Sequence, residues 1–433
     1  MSIVERLRSL LGDDQVITDP VSMSTYSTDW TKTWSSSPLA VVRPRNSTEV
    51  GIVLSEAQKH AIAVIPQGGN TGLVGGSVGN DSFQHIIVST RLLRDPIEFD
   101  AATNQLTVSA GWMLSEVQKF AETKGLEYPV DIAARDSATI GGTIATNAGG
   151  IHVIAHGMTR AQVVGVEIVV PDGRVLHDIS PIAQGFVHGL CDDVVGSEGT
   201  LGIITKAQLQ LQQPRTAQWT AIVPTDSLDQ AVKLSLKLGS DVLASEIMQT
   251  QTALHVAQHA GKQAISAEYS WLVLLESDGP LIHLPDDSLV AFSAHDRREL
   301  WSYRERHTEY IATKKNVLKF DARVPVSALE TFVSEVRQIA THTTGNAKDF
   351  VVFGHLLDGN LHLAISNTGD PAELQDEIAA LIISHNGSIR AEHGIGQAKS
   401  RYVDQGFTSA ELVERAKRRD RFDPNRIMNP SIG

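Results

Sequence analysis

Cysteine is nearly absent from this sequence. Cys191 stands alone among 433 residues, so no disulfide can form within the chain, which suits a reducing compartment. Positive charge is also scarce. A formal net charge of −13 argues against nucleic acid or an anionic membrane as the main partner, since either favours a basic face; Lys417-Arg418-Arg419 is only a local basic patch. No apolar run is long enough to span a bilayer, and Met1 to Arg8 carries charges where a signal peptide needs an apolar stretch. A cytoplasmic location is expected, with peripheral docking at a membrane face left open. What remains is ordinary for a globular protein: 42% hydrophobic and 20% charged residues, in a chain long enough for two or three domains.

Glycine is plentiful in three places. Six glycines fall in the twelve residues from Gly68 to Gly79, directly after a β-α-β beginning. That beginning reads as a strand over 39–44, a helix from Ser47 to about His60 capped by Ser47 or Thr48, and a strand over 61–66. Such a density marks backbone that takes positive φ or passes close to a ligand, and consecutive exposed amides make an anion nest. Gly68, Gly69, Asn70, Thr71, Gly72, Gly76 and Ser77 are the candidate pyrophosphate contacts. The segment matches neither GxGxxG nor GxxxxGK[ST], so neither a nicotinamide Rossmann site nor a phosphate-loop ATPase is supported. The second segment, Arg135 to Gly150, follows a helix over 114–123, and the third is Gly196 to Thr205. Three loops alternating with strands such as 163–170 suggest one large cofactor touched from several sides. Asp172-Gly173 reads as a hairpin turn only.

The second focus is His355-Leu356-Leu357-Asp358-Gly359-Asn360-Leu361-His362. With Asp358-Gly359 as a two-residue turn, His355 and His362 face each other across a hairpin and can converge on one metal ion. The plainer reading is a polar surface pair or two satisfied core residues. Glu392, in a short strand running into Gly394 and Gly396, is the candidate third ligand, and His393 beside it a candidate base.

Between these foci the pattern changes. Strands near 219–223 and 270–276 enclose a helix near 228–239, an α+β unit with an antiparallel sheet. From Asp296 to about Lys314 the spacing is helical, placing Arg304 and Thr308 on one face. A strand over 316–324 then puts Lys319 and Asp321 on one side. Arg304, Thr308 and Lys319 are candidates to grip a carboxylate. Helices are also expected at Ile3–Leu11 and over 408–419.

In this order the motifs resemble those of FAD-linked D-2-hydroxyacid dehydrogenases of the vanillyl-alcohol oxidase flavoprotein superfamily, in the D-2-hydroxyglutarate and D-lactate dehydrogenase branch. The resemblance runs from Asp29-Trp30 to Asn429-Pro430. It implies an α+β chain: a two-subdomain FAD-binding domain over 1–213, an α+β cap domain on an antiparallel sheet over 214–390, and a segment over 391–433 that returns to the flavin. Ser137, Thr139, Gly141, Gly142 and Asn147 would lie along the cofactor, with Glu198, Ile203 and Asn429 completing its pocket. FAD is expected to be non-covalent, because the pyrophosphate loop has no His or Cys. His355, His362 and Glu392 would hold a divalent metal, zinc or a similar ion. Arg304, Thr308, Lys319 and His393 would contact a small 2-hydroxy acid, with His393 as the base. Quinone, an electron-transfer flavoprotein or a dye is the expected electron acceptor, and a homodimer is an open expectation.

Two departures bear on substrate. Leu357 stands where relatives commonly have Gly, and Ala364 where the hydroxyglutarate enzymes have an Asn, so D-2-hydroxyglutarate, D-lactate and D-malate all stay open. Two rival classes remain at this point: a metal-dependent hydrolase with a nucleotide-bearing ligand, and a flavin-binding subunit without turnover.

Overall fold

The computed structural model describes residues 1–179, 189–259, 268–346, 350–369 and 371–432. Its first helix, Ile3–Leu11, buries Ile3 and Leu7 and is closed by a reciprocal cap: the Ser2 hydroxyl accepts from Glu5 N at 3.3 Å while Glu5 accepts from Ser2 N at 2.8 Å. Helix Ser47–Lys59 is capped by Asn46, whose side chain accepts from Glu49 N at 2.9 Å, and not by Ser47 or Thr48. The Ser47 hydroxyl is engaged elsewhere, on Glu167 Oε1 at 2.5 Å.

The chain divides into two units, one made of Met1–Gly150, Gly157–Pro214 and His393–Gly433, the other of Ile151–His156 and Arg215–Glu392. These bounds differ from a simple division at 213/214 and 390/391. Ile151–His156 goes with the second unit because helix Val153–His156 packs on the strand Val242–Gln249, and His152 Nε2 lies 3.3 Å from Glu276 Oε1.

The first unit holds two sheets. β1 (Val16–Ile17), β2 (Val41–Val42), β3 (Ala63–Gln67) and β4 (His85–Ser89) lie in the order β1-β2-β4-β3, parallel except at β1. Residues 427–429 run beside β3, where Val64 N donates to Ile427 O at 2.8 Å and Asn429 N to Val64 O at 2.9 Å. The second sheet is antiparallel, in the order β5-β6-β9-β7-β8, from β5 (Glu98–Asp100), β6 (Gln105–Ser109), β7 (Val163–Val169), β8 (Val175–His177) and β9 (Ile203–Gln210). Asp172-Gly173 closes the β7–β8 hairpin as its composition predicts, with Gly173 at φ 87°. One core spans both sheets, from Leu54, Ile86 and Val88 to Leu106, Ile168 and Leu209.

The second unit is built on seven antiparallel strands: β10 (Trp219–Thr225), β11 (Val242–Gln249), β12 (Trp271–Ser277), β13 (Leu289–Ala291), β14 (Leu318–Arg323), β15 (Phe350–His355) and β16 (Asn360–Ile365). Their order is β13-β10-β12-β11-β15-β16-β14. Every residue of β10, β11, β12 and β15 is buried, so both faces of the sheet centre are covered. On one face Met248, Leu274, Phe353 and Ala364 pack with Ala253, Trp301 and Ile311 from the helices Thr250–His259, Ala294–Glu305 and His307–Ala312. Helices Leu228–Leu236, Leu329–Thr344 and Pro371–Ser384 also contact the sheet. Among the described residues no helix is long and apolar enough to cross a membrane.

Candidate active site

The two histidines of the hairpin meet, though not in the register their spacing predicts. β15 pairs with β16 so that His355 faces Asn360 and His362 faces Phe353, which makes the histidines diagonal neighbours on one face. The turn is Leu356 to Gly359, four residues long. Leu356 is fully buried, with its amide donating to Ser245 O at 2.8 Å, and is thereby kept out of the ladder. Gly359 sits at φ 68° under Val324 O, which an added Cβ would approach to 2.0 Å. The imidazole centroids are 5.7 Å apart.

Glu392 joins them from a turn and not from a strand: its segment pairs only at the isolated Ser388–Arg323 bridge, and Ala391 has φ 44°. One ligand atom from each of His355, His362 and Glu392 lies within 4.8 Å of the others. Glu392 Oε2 is 3.3 Å from His355 Nε2 and 3.9 Å from His362 Nε2.

Each of the three side chains is backed by a further polar group. His355 Nδ1 is 2.5 Å from Glu246 Oε1 and His362 Nδ1 is 3.1 Å from Asp321 Oδ1. The amide of Asn360 donates to Glu392 Oε2 at 3.1 Å, and Asp321 Oδ2 accepts from Glu392 N at 2.8 Å. Burial alone would lower the His355 pKa, but the charges and hydrogen bonds of Glu246 and Glu392 together outweigh it and drive it up. Burial likewise favours a neutral Glu246, yet His355 and Arg304 hold its carboxyl below the usual range. Imidazoles with Nδ1 turned to a carboxylate and Nε2 turned inward form the donor set expected of a metal centre, so these residues fit a divalent ion. A small recess opens beside Glu246 and His355, walled by Ile151, Ile154, Leu357 and Asp358.

Arg304 is 8% exposed, its Nε 2.6 Å from Glu246 Oε2 and its guanidinium carbon 4.6 Å from the centre of the Phe353 ring. The expected helical run breaks at Arg306, so Arg304 lies in the last turn of one helix while Thr308 lies in the next and is exposed. They do not form an i, i+4 pair on one helix. Lys319 is exposed on the edge strand β14, opposite Ala364, and shares a face with Asp321. His393, half-buried, follows Glu392 in the chain as the first residue of the first unit's last segment. Sequence reasoning missed Glu246, and Asn360 as more than a hairpin residue. A lone carboxylate in the apolar strand Val-Leu-Ala-Ser-Glu-Ile-Met-Gln was the available signal.

In the first unit the glycine segments pack on one another. A Cβ on Gly68 would fall 2.2 Å from Thr139 Oγ1, and one on Gly69 2.0 Å from Ser137 O. Their absence of side chains therefore serves close approach of two chain segments; within 68–79 only Asn70 and Gly75 take positive φ. The second segment is not simply a loop: Ile140–Thr146 is a helix capped by Thr139, with Asn147 left-handed at its end. Gly141 and Gly142 lie in its first turn, Gly141 against Ala110. Ser137 is exposed. Ser77 donates its hydroxyl to Asn70 Oδ1 at 2.7 Å. Among the described residues no amide of 68–72 donates a backbone hydrogen bond. Gly72 has nothing within 4 Å of an added Cβ and Thr71 is half-buried, so this stretch suits an anion. Glu198 accepts from the amides of Ile395 at 2.9 Å and Gly396 at 2.8 Å, and Asn429 donates to Gly76 O and Glu198 O, both at 2.9 Å. Ile203, 1% exposed, belongs to the core.

Comparison with known proteins decides the family. Residues 38–178 match the model of the FAD binding domain, and residues 215–432 that of the FAD linked oxidases, C-terminal domain. The chain belongs to the FAD-linked oxidases. Within that family it is 32% identical to a D-2-hydroxyglutarate dehydrogenase of Xanthomonas citri pv. viticola, over 95% of this chain and 93% of the relative. It is 30% identical to the mitochondrial D-2-hydroxyglutarate dehydrogenase of Arabidopsis thaliana, over 99% of this chain and 80% of that protein. Among solved structures, alkyldihydroxyacetonephosphate synthase shares the fold, with a TM-score of 0.73 at 16% identity, over 99% of this chain and 85% of that one. The chain is thus an FAD-linked oxidoreductase of the D-2-hydroxyacid dehydrogenase type, with the α+β architecture its sequence implies.

Proposed function

We propose that this protein oxidises a D-2-hydroxy acid to the 2-oxo acid and passes the electrons through FAD to an acceptor such as a quinone or an electron-transfer flavoprotein. One observation carries the reading: in an FAD-linked oxidase, His355, His362 and Glu392 offer ligand atoms within 4.8 Å of one another. D-2-Hydroxyglutarate is the first candidate because the relatives carry that name, with D-lactate and D-malate beside it because Ala364 offers no hydrogen bond.

His355, His362 and Glu392 would hold the ion, and a mixed nitrogen and oxygen set favours zinc or a similar dication. When bound, such an ion supplies a Lewis acid that eases ionisation of a hydroxyl, and FAD supplies the hydride acceptor. Arg304, fixed through Nε, has its two Nη atoms to offer to the substrate carboxylate, a fork that orients as well as attracts. Lys319 adds a second cation from the edge strand, and Thr308 a hydroxyl. The proton of the substrate hydroxyl goes to an imidazole nitrogen of His393. Residues 68–72, with Ser137, Thr139 and Asn147, would seat the non-covalent FAD, whose pyrophosphate the amides of 68–72 suit.

The test is anaerobic mixing of the yellow protein with D- and L-2-hydroxy acids before and after chelation, following the flavin band at about 450 nm. Bleaching by one or more D-acids, lost on chelation and restored by zinc, is the expected result. Bleaching that ignores the chelator would remove the metal from the reading, and no bleaching by any acid would remove the reaction.

A further inference from the structure

We infer that Glu246 is a positioning residue that couples the grip on the substrate carboxylate to the hold on the metal ion. This rests on the metal-dependent dehydrogenase reading above. Glu246 stands on β11 directly opposite His355 on β15, and its side chain is 1% exposed. Its two oxygens are divided: Oε1 lies 2.5 Å from His355 Nδ1 and Oε2 lies 2.6 Å from Arg304 Nε. A buried carboxylate with one oxygen on a guanidinium and the other on an imidazole is a shared resource. Whatever charge it directs toward the guanidinium is withheld from the imidazole.

The sharing has two geometric effects. On one side it fixes the His355 tautomer, because Nδ1 keeps its hydrogen toward Glu246 and Nε2 is left to face Glu392, 3.3 Å away. On the other it takes the Nε–H of Arg304, so the guanidinium can turn only its Nη edge to a ligand. That edge is further oriented by the Phe353 ring, which touches both Arg304 and, at 5.1 Å between centroids, His362. Phe353 pairs with Met248 two residues along the same β11, so the arginine, both histidines and Glu246 are indexed by one stretch of ladder. Neither Arg304 nor His355 is held this way by a neighbour in sequence; the contacts span 58 and 109 residues.

Sharing makes opposite predictions for the two partners, which packing alone would not. Full-length protein carrying FAD is stripped of metal, and Zn²⁺ alone is titrated by equilibrium dialysis. Glu246→Gln is expected to weaken zinc by about 10 to 100-fold, the usual consequence of losing a carboxylate behind a ligating imidazole. Arg304→Gln is expected to tighten zinc a few-fold, since Oε2 is then released and the whole carboxylate charge serves His355. Glu246→Asp keeps the charge but cannot reach both partners, and should fall between wild type and Glu246→Gln. The flavin band should be unchanged in all three.

Wild-type zinc affinity in a folded Glu246→Gln or Glu246→Asp protein overturns the inference, as does a loss of zinc affinity in Arg304→Gln equal to that in Glu246→Gln. If Glu246→Gln does not fold, the other two variants decide. A wild-type protein that takes up no zinc or other divalent ion sinks the underlying reading instead, so the two failures are distinct.

Discussion

The two proposed sites, one in each unit, are built in contrasting ways. In the first, the material is backbone: amides of 68–72 without backbone acceptors, seated where Gly68 and Gly69 let the 137–142 segment approach. In the second, the material is side chains projected from β11, β14, β15 and β16 onto one sheet face, where Glu246, Asp321, His355 and His362 meet. A backbone site is written locally, in composition, and so can be read from a short stretch. A side-chain site is written in strand order and register, and no short stretch contains it.

The largest effect should come from spoiling the backbone site. Gly69→Ala places a Cβ 2.0 Å from Ser137 O, and should cost about 3 kcal/mol and most of the bound FAD, read by chemical denaturation and by the flavin band. Gly72→Ala, with nothing within 4 Å, is the control and should leave stability within about 0.5 kcal/mol. Equal behaviour of the two would erase the contrast drawn here.

Next is the side-chain site. His362→Ala should weaken zinc binding on the order of 100-fold or more while the flavin band is kept, because the imidazole belongs to the second unit alone. Loss of FAD in this variant would show that the two preparations are not separable.

The smallest effect is an acid sensitivity specific to the second unit. His307 is fully buried, and burial followed by the Arg304 charge pulls its pKa down to about 3, so it is neutral when folded. Its unfolded counterpart takes a proton near pH 6.5, which the folded state refuses; stability from this group is therefore full above about pH 6.5 and declines as the pH falls toward 3. At pH 5 the loss is about 2 kcal/mol. His307→Leu should flatten the pH dependence of urea stability over that window by one proton, and an unchanged slope would refute it.

How far the sequence could be read follows the same division. The helix Ile3–Leu11, the Asp172-Gly173 turn, the glycine segments and the alternation around Lys319 and Asp321 are local, and their chemistry is visible in place. The hairpin register was not, because Asp358-Gly359 is an adequate two-residue turn by itself. What overrides it is the pairing of His355 with Glu246 and the burial of Leu356, both of which depend on a strand more than a hundred residues earlier. Asn46 displaces Ser47 as a cap for the same reason: Ser47 is drawn to Glu167, far along the chain. The break at Arg306 left no local mark either, since no Pro or Gly stands there.

The strand Ala63–Gln67 is synthesised early, yet the residues that close its flank, Ile427 to Asn429, are made only after the entire second unit has emerged from the ribosome. Nascent protein must therefore carry an unfinished sheet edge while all of residues 215–392 are made. Assembly order thus departs from reading order: the strand Ala63–Gln67 waits for Ile427 to Asn429.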